Sequence, residues 1–94
     1  MVCEGSFKFL ELKKIEKGSF KNNEGEVINY DASYKLKVHE QTDRGIQERI
    51  FKIPVQNTGL INQLQNVKPY TDIKIRFNIT IYNARVVLDP VSLV

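Results

Sequence analysis

The chain has one cysteine, one histidine and no tryptophan in 94 residues. A single thiol, Cys3, excludes an internal disulfide and a cysteine-built metal cage, and with them a disulfide-stapled secreted scaffold. The lone His39 leaves no Cys–His pair and no imidazole set for a metal unless distant carboxylates complete it. Acidic residues are scattered singly, and neither G-x-G-x-x-G nor a Walker phosphate loop occurs. The expectation is therefore a protein without catalytic residues, metal or cofactor. No apolar run approaches the roughly 18–20 residues that span a bilayer. The opening MVCEGSFKF lacks the charged-then-apolar build of a signal peptide. A cytoplasmic protein with no membrane partner is the simplest expectation.

What is present is a basic chain of ordinary hydrophobicity. Fourteen Lys+Arg against eleven Asp+Glu leave a net charge of +3. Residues 1–40 hold seven of each sign, and residues 41–94 hold seven cations against four anions, so the excess lies in the second half. Such a balance favours a polyanion over a basic partner. Ninety-four residues make one domain with one modest core.

Strand signals dominate. In residues 6–16, SFKFLELKKIE, Phe7 and Phe9 share one phase and Leu10 and Leu12 the other. One extra residue swaps the faces of a strand, so a β-bulge is expected between Phe9 and Leu10. Residues 17–26 read as a polar loop around Gly18, Gly25 and Asn22-Asn23. Residues 27–39 alternate over Ile28, Tyr30, Ala32, Tyr34, Leu36 and Val38, which predicts one long strand with one buried face. A turn at residues 40–45 leads to a third strand, 46–55, closed by Pro54.

The period then changes. Leu60, Ile61, Leu64 and Val67 lie on one face of a short helix over 57–67, with Asn57 or Thr58 as cap and Pro69 as stop. The fourth strand, 70–82, contains IKIRFNITIY, in which Ile73, Ile75, Phe77, Ile79 and Ile81 form the apolar phase. Asn83 turns the chain into a fifth strand broken by Pro90. The order β-β-β-α-β-β predicts an all-β fold with one short helix, a five-stranded Greek-key OB-fold barrel with the helix between strands three and four. A five-stranded sheet packed on one helix, or an SH3-like barrel, accommodates the helix position less well.

Cations alternate with rings on these strands. Lys35 and Lys37 project from strand two, and Lys74 and Arg76 from strand four, each opposite to apolar neighbours. In strand three, Arg49 and Phe51 share one face and Ile50 and Lys52 the other, so either phase turns one cation outward. Phe20, beside Lys21, stands in a polar loop where no periodicity asks for a ring, and Tyr82 leaves the apolar phase near a turn. Single-stranded nucleic acid takes this mixture: cations follow phosphates, and rings stack on unpaired bases. The candidate contacts are Phe20, Lys21, Tyr34, Lys35, Lys37, Arg49, Phe51, Lys52, Lys74, Arg76 and Tyr82. Each cation alone also fits a solvated surface residue, Tyr30 and Tyr34 fit the core as well as a stacking role, and Phe20 fits equally a plug at one barrel end or a dimer contact.

Across its length the chain resembles the small single-stranded DNA-binding proteins with an OB fold found in phages and conjugative elements of Gram-positive bacteria. The resemblance is carried by the bulged first strand, the loop containing Phe20, YKLKV at 34–38, RIFKIPV at 49–55, the inserted helix and IKIRFNITIYNARVVLDPVSLV. It implies non-catalytic, largely sequence-independent coating of single-stranded DNA in the cytoplasm of a bacterial host. It also implies homo-oligomers, dimeric or higher, and contact with replication or recombination proteins. Two features depart from the family pattern. Tryptophan is absent, which leaves stacking to Phe and Tyr, and residues 85–94 hold a single acid where many members carry an acidic tail. Two other functions fit the same strands. One is a protein–protein adaptor that pairs through the edge of strand two or strand five; the other is an RNA-binding protein of the cold-shock type.

Overall fold

The computed structural model describes all residues, 1–94. Seven strands and one helix follow in the order β1 (Val2–Ile15), β2 (Gly18–Lys21), β3 (Val27–Tyr30), β4 (Ser33–Thr42), β5 (Gly45–Pro54), α1 (Thr58–Gln65), β6 (Asp72–Tyr82) and β7 (Arg85–Leu93). Five of the strands form one antiparallel sheet in the order β5-β4-β1-β6-β7, and β2 and β3 form a separate hairpin. The sheet curls, so that its two edge strands β5 and β7 approach each other and α1 lies against β7. The fold is therefore all-β and barrel-like, with one short helix.

β1 makes the curl possible. Its first half pairs with β6, from Val2 opposite Asn78 to Lys8 opposite Asp72. Its second half pairs with β4, and the register skips Leu10 between Phe9 and Glu11. That skip is the expected bulge. It bends the strand and lets Phe7, Phe9 and Leu12 all face inward despite their mixed parity. Backbone bonds pin the bend, because the Phe9 amide donates to the Thr71 carbonyl at 2.9 Å and the Tyr70 amide donates to the Phe9 carbonyl at 2.6 Å.

The concave face buries Phe7, Phe9, Leu36, Val38, Phe51, Ile53, Ile73, Ile75 and Phe77, and α1 contributes Leu60, Ile61 and Leu64. Rings of Phe7, Phe51 and Phe77 meet pairwise, with centroids 5.0 to 5.8 Å apart. Truncating one such ring costs about 3–5 kcal/mol, a large share of the roughly 5–15 kcal/mol that holds a domain together. Asn57 joins the helix to the sheet. Its Oδ1 accepts from the Leu60 amide at 3.4 Å, capping α1, while its Nδ2 donates to the Val91 carbonyl at 3.1 Å.

Several elements differ from the sequence reading. Residues 17–26 are not a plain loop: Gly18–Lys21 form β2, which pairs with β3. The hairpin turns on Asn22, whose Oδ1 accepts from the Glu24 and Glu26 amides at 2.9 and 3.0 Å. The long alternation of 27–39 breaks at Asp31 and Ala32, because β1 ends at Ile15 opposite Ser33 and supplies no partner beyond. Ile28 and Tyr30 are consequently exposed. Pro90 does not break the last strand. It sits opposite Phe77 beside a register shift in an edge strand, where its missing N–H is tolerated.

β6 shows the same effect at its far end. Ile73, Ile75 and Phe77 are buried, Ile79 is half-buried, and Ile81 is 76% exposed. Alternation continues, but β1 starts at Val2 opposite Asn78 and the Met1 carbonyl accepts from the Ile79 amide at 2.8 Å, so residues 80–82 have only β7 beside them. The β6–β7 hairpin thus runs on as a two-stranded arm.

Candidate nucleic-acid interface

Residues paired directly across antiparallel strands project from the same face, which makes the outer surface readable row by row. One row runs Lys52–Lys35–Lys13 across β5, β4 and β1. The next holds Ile50, Lys37 and Glu11, and the one after it Glu48, His39, Lys8 and Asp72. Beyond these, β6 and β1 place Lys74 opposite Ser6 and Arg76 opposite Glu4. Lys35, Lys37, Lys52, Lys74 and Arg76 therefore share the outer face.

They do not share the same surroundings. Glu4 lies 3.3 Å from Lys74 Nζ and 3.7 Å from Arg76 Nη2. Lys37 stands between Glu11 and Glu48, at 3.9 and 4.0 Å, and Lys8 pairs with Asp72 at 3.6 Å. Lys13, Lys35 and Lys52 have no carboxylate within ion-pairing distance. Three like charges in cross-strand register repel one another and destabilise the sheet. An anion laid across them relieves that repulsion.

Beside the row is a cleft of about 260 Å³ lined by Ile15, Ser33, Lys35, Ile50 and Lys52 together with the inward-facing Tyr34 and Phe51. The β2–β3 hairpin rises from the same end, since it joins the end of β1 to the start of β4. Phe20, Ile28 and Tyr30 lie on one of its faces, Lys21 and Val27 on the other. Phe20 is 53% exposed, and its ring centroid is 6.3 Å from that of Tyr30. Tyr30 lies across Gly18, where a Cβ would come within 2.5 Å of its hydroxyl. Glycine at that position lets the ring lie flat. Cations and an apolar slot thus lie at the end of β1 from which the hairpin with its two open rings extends.

Four predicted residues fall elsewhere. Phe51 is a core ring between Phe7 and Phe77, so its faces are not open for stacking. Arg49 shares its inward phase: the guanidinium lies 5.4 Å over the Phe51 ring and 3.4 Å from Glu40 Oε1. Tyr34 is half-buried against the core, on the opposite face from Lys35. Tyr82 is 71% exposed but stands on the β6–β7 arm, at the opposite end of β1 from the lysine row. Sequence reasoning missed Lys13, Ile15 and Ile50, and left Tyr30 open between core and stacking. For Lys13 a signal existed, because the bulge inferred at Phe9–Leu10 moves it to the polar face.

No group of His, Cys, Asp and Glu converges as metal ligands would, and no helix is long and apolar enough to cross a membrane. No family model, curated protein or solved structure matches the chain.

Proposed function

We propose that this chain binds single-stranded DNA without catalysis and largely without sequence preference, through the outer face of β1, β4 and β5 and the β2–β3 hairpin. The observation that carries this reading is the unpaired row Lys13–Lys35–Lys52 beside an apolar cleft and the Phe20–Tyr30 ring pair. Phosphates on the row release their counterions, and bases set on Ile15, Ile50, Phe20 or Tyr30 contribute roughly 1–3 kcal/mol for each one stacked. Lys37, Lys74 and Arg76 extend the track at lower strength, since a phosphate must first displace a carboxylate. Such exposed pairs are worth only about 0–1 kcal/mol, so the exchange is cheap.

In this reading β1, β4, β5, β6 and β7 are the five strands of an OB fold. α1 lies between its third and fourth strands, and β2–β3 is an elaborated first loop. Oligonucleotide binding by that fold centres on its second and third strands and on the loops after its first and fourth strands. The lysine row and the cleft lie on those strands, β2–β3 is the first of those loops, and the Asn83-Ala84 turn of the β6–β7 arm is the second. A cytoplasmic role in replication, recombination or transfer of DNA, beside the proteins that carry those processes out, follows from the same reading.

Titrating tyrosine fluorescence with oligo-dT at low and raised salt tests the proposal. Tight binding that weakens steeply with salt is expected, and absence of binding at low salt overturns it. Competition with oligo-U separates DNA from RNA as the ligand, because a protein that uses the 2′-hydroxyl prefers RNA.

A further inference from the structure

The β6–β7 arm stands at the opposite end of β1 from the lysine row and exposes apolar side chains on both its surfaces. Ile81 and Val86 are a cross-strand pair on one surface, 76% and 68% exposed; Val87 and Tyr82 lie on the other. β7 ends the sheet, so its outer backbone edge has no partner strand. The only bonds to that edge from outside the sheet come from Asn57 to the carbonyls of Pro90 and Val91, beyond the arm. An apolar edge strand with free N–H and C=O groups is a template for another strand.

The geometry of the arm selects which groups are free. Its turn is the two-residue loop Asn83-Ala84, both with positive φ, so Tyr82 and Arg85 form the first hydrogen-bonded pair. Bonded and non-bonded pairs alternate in an antiparallel ladder, which directs Val87 and Asp89 inward to β6. The N–H and C=O groups of Val86 and Leu88 therefore point outward.

We infer that this edge pairs with the same edge of a second copy of the chain, antiparallel and centred on Val87. In that register Val86 of each copy exchanges hydrogen bonds with Leu88 of the other, which uses the outward groups. Arg85 of each copy then stands opposite Asp89 of the other, and neither residue has an ion-pair partner within its own chain. The stretch Arg85-Val86-Val87-Leu88-Asp89 is thus self-complementary in charge about its own centre, as an isologous two-fold contact requires. The resulting four-stranded ribbon covers Val86 with Leu88 of the other copy and leaves both lysine rows free.

Sedimentation equilibrium of the full chain without nucleic acid is the test. A dimer of twice the 10.9 kDa chain mass is expected. Arg85→Asp sets like charges opposite each other twice and raises the dimer Kd by roughly tenfold or more. Combining it with Asp89→Arg restores complementarity and the dimer. Val86→Pro removes an outward N–H while sparing the β6 ladder, and gives a monomer whose circular dichroism is unchanged. A wild-type chain still monomeric at about 1 mM overturns the inference and leaves the edge to a strand of a different protein. So does a dimer indifferent to both Arg85→Asp and Val86→Pro, or one that the charge swap fails to rescue.

Discussion

Neutralising the row Lys13–Lys35–Lys52 separates a binding surface from a merely solvated one, because only a binding surface loses salt dependence with it. Each lysine that contacts a phosphate of a single strand contributes about 0.7 to the slope of log affinity against log salt. The triple variant Lys13→Gln, Lys35→Gln, Lys52→Gln therefore loses about 2.1 of that slope. Between about 50 and 200 mM salt the wild type should lose roughly 20-fold more oligo-dT affinity than the variant. Stability should move the other way. Lys35 is flanked by Lys13 and Lys52 in direct cross-strand register, so Lys35→Gln alone relieves two repulsions of roughly 0.2–1 kcal/mol each. Thermal unfolding at low salt should shift up by about 2–16 °C, given some 4–8 °C per kcal/mol in a domain of this size. Weaker binding with higher stability marks residues held in place for a ligand. The reasoning is refuted if the slope is unchanged, or if Lys74→Gln with Arg76→Gln reduces it as much as the row does.

The remaining expectations are local. Glu4→Gln frees Lys74 and Arg76, which Glu4 holds at 3.3 and 3.7 Å. Affinity for oligo-dT should rise at low salt, with a slope steeper by up to about 1.4, read in the same titration. Phe20→Ala removes a 53% exposed ring on the hairpin face it shares with Ile28 and Tyr30; it should cost roughly 1–3 kcal/mol of oligonucleotide affinity and leave thermal unfolding nearly unmoved. Ala84 occupies the left-handed region at φ 60 in the arm's turn. Ala84→Gly should stabilise the chain by about 0.5–1 kcal/mol in denaturant unfolding, because the left-handed penalty of Ala exceeds the added entropy of Gly.

Much of the fold was legible because it rests on short-range pattern. The bulge at Phe9–Leu10 showed as a change of parity, and α1 showed as Leu60, Ile61 and Leu64 behind an Asn57 cap. Where the reading failed, alternation outlasted burial. Ile28, Tyr30 and Ile81 keep the phase of the core, yet each lies where a strand has run past its neighbour. Alternation reports which side of a strand is apolar and carries no information on whether a third strand lies beneath it.

The candidate site divides along the same line. That Lys35, Lys37, Lys74 and Arg76 project away from apolar neighbours is a two-residue period, a property of each strand taken alone, and sequence sufficed. Which of them are free is a matter of pairing between strands remote in the chain. Glu4 reaches Arg76 across seventy-odd residues, while Lys13 meets Lys35 and Lys52 only through register. The phase of β5, ambiguous in Arg49-Ile50-Phe51-Lys52, was settled by which ring could fill the space between Phe7 and Phe77. The sequence by itself determined the helix, the apolar sides of β1, β4 and β6 and the bulge, because those depend on near neighbours. Tertiary structure alone decided which cations remain unpaired, which rings stay open and where an arm outruns the sheet, because those depend on what the curled strands bring together.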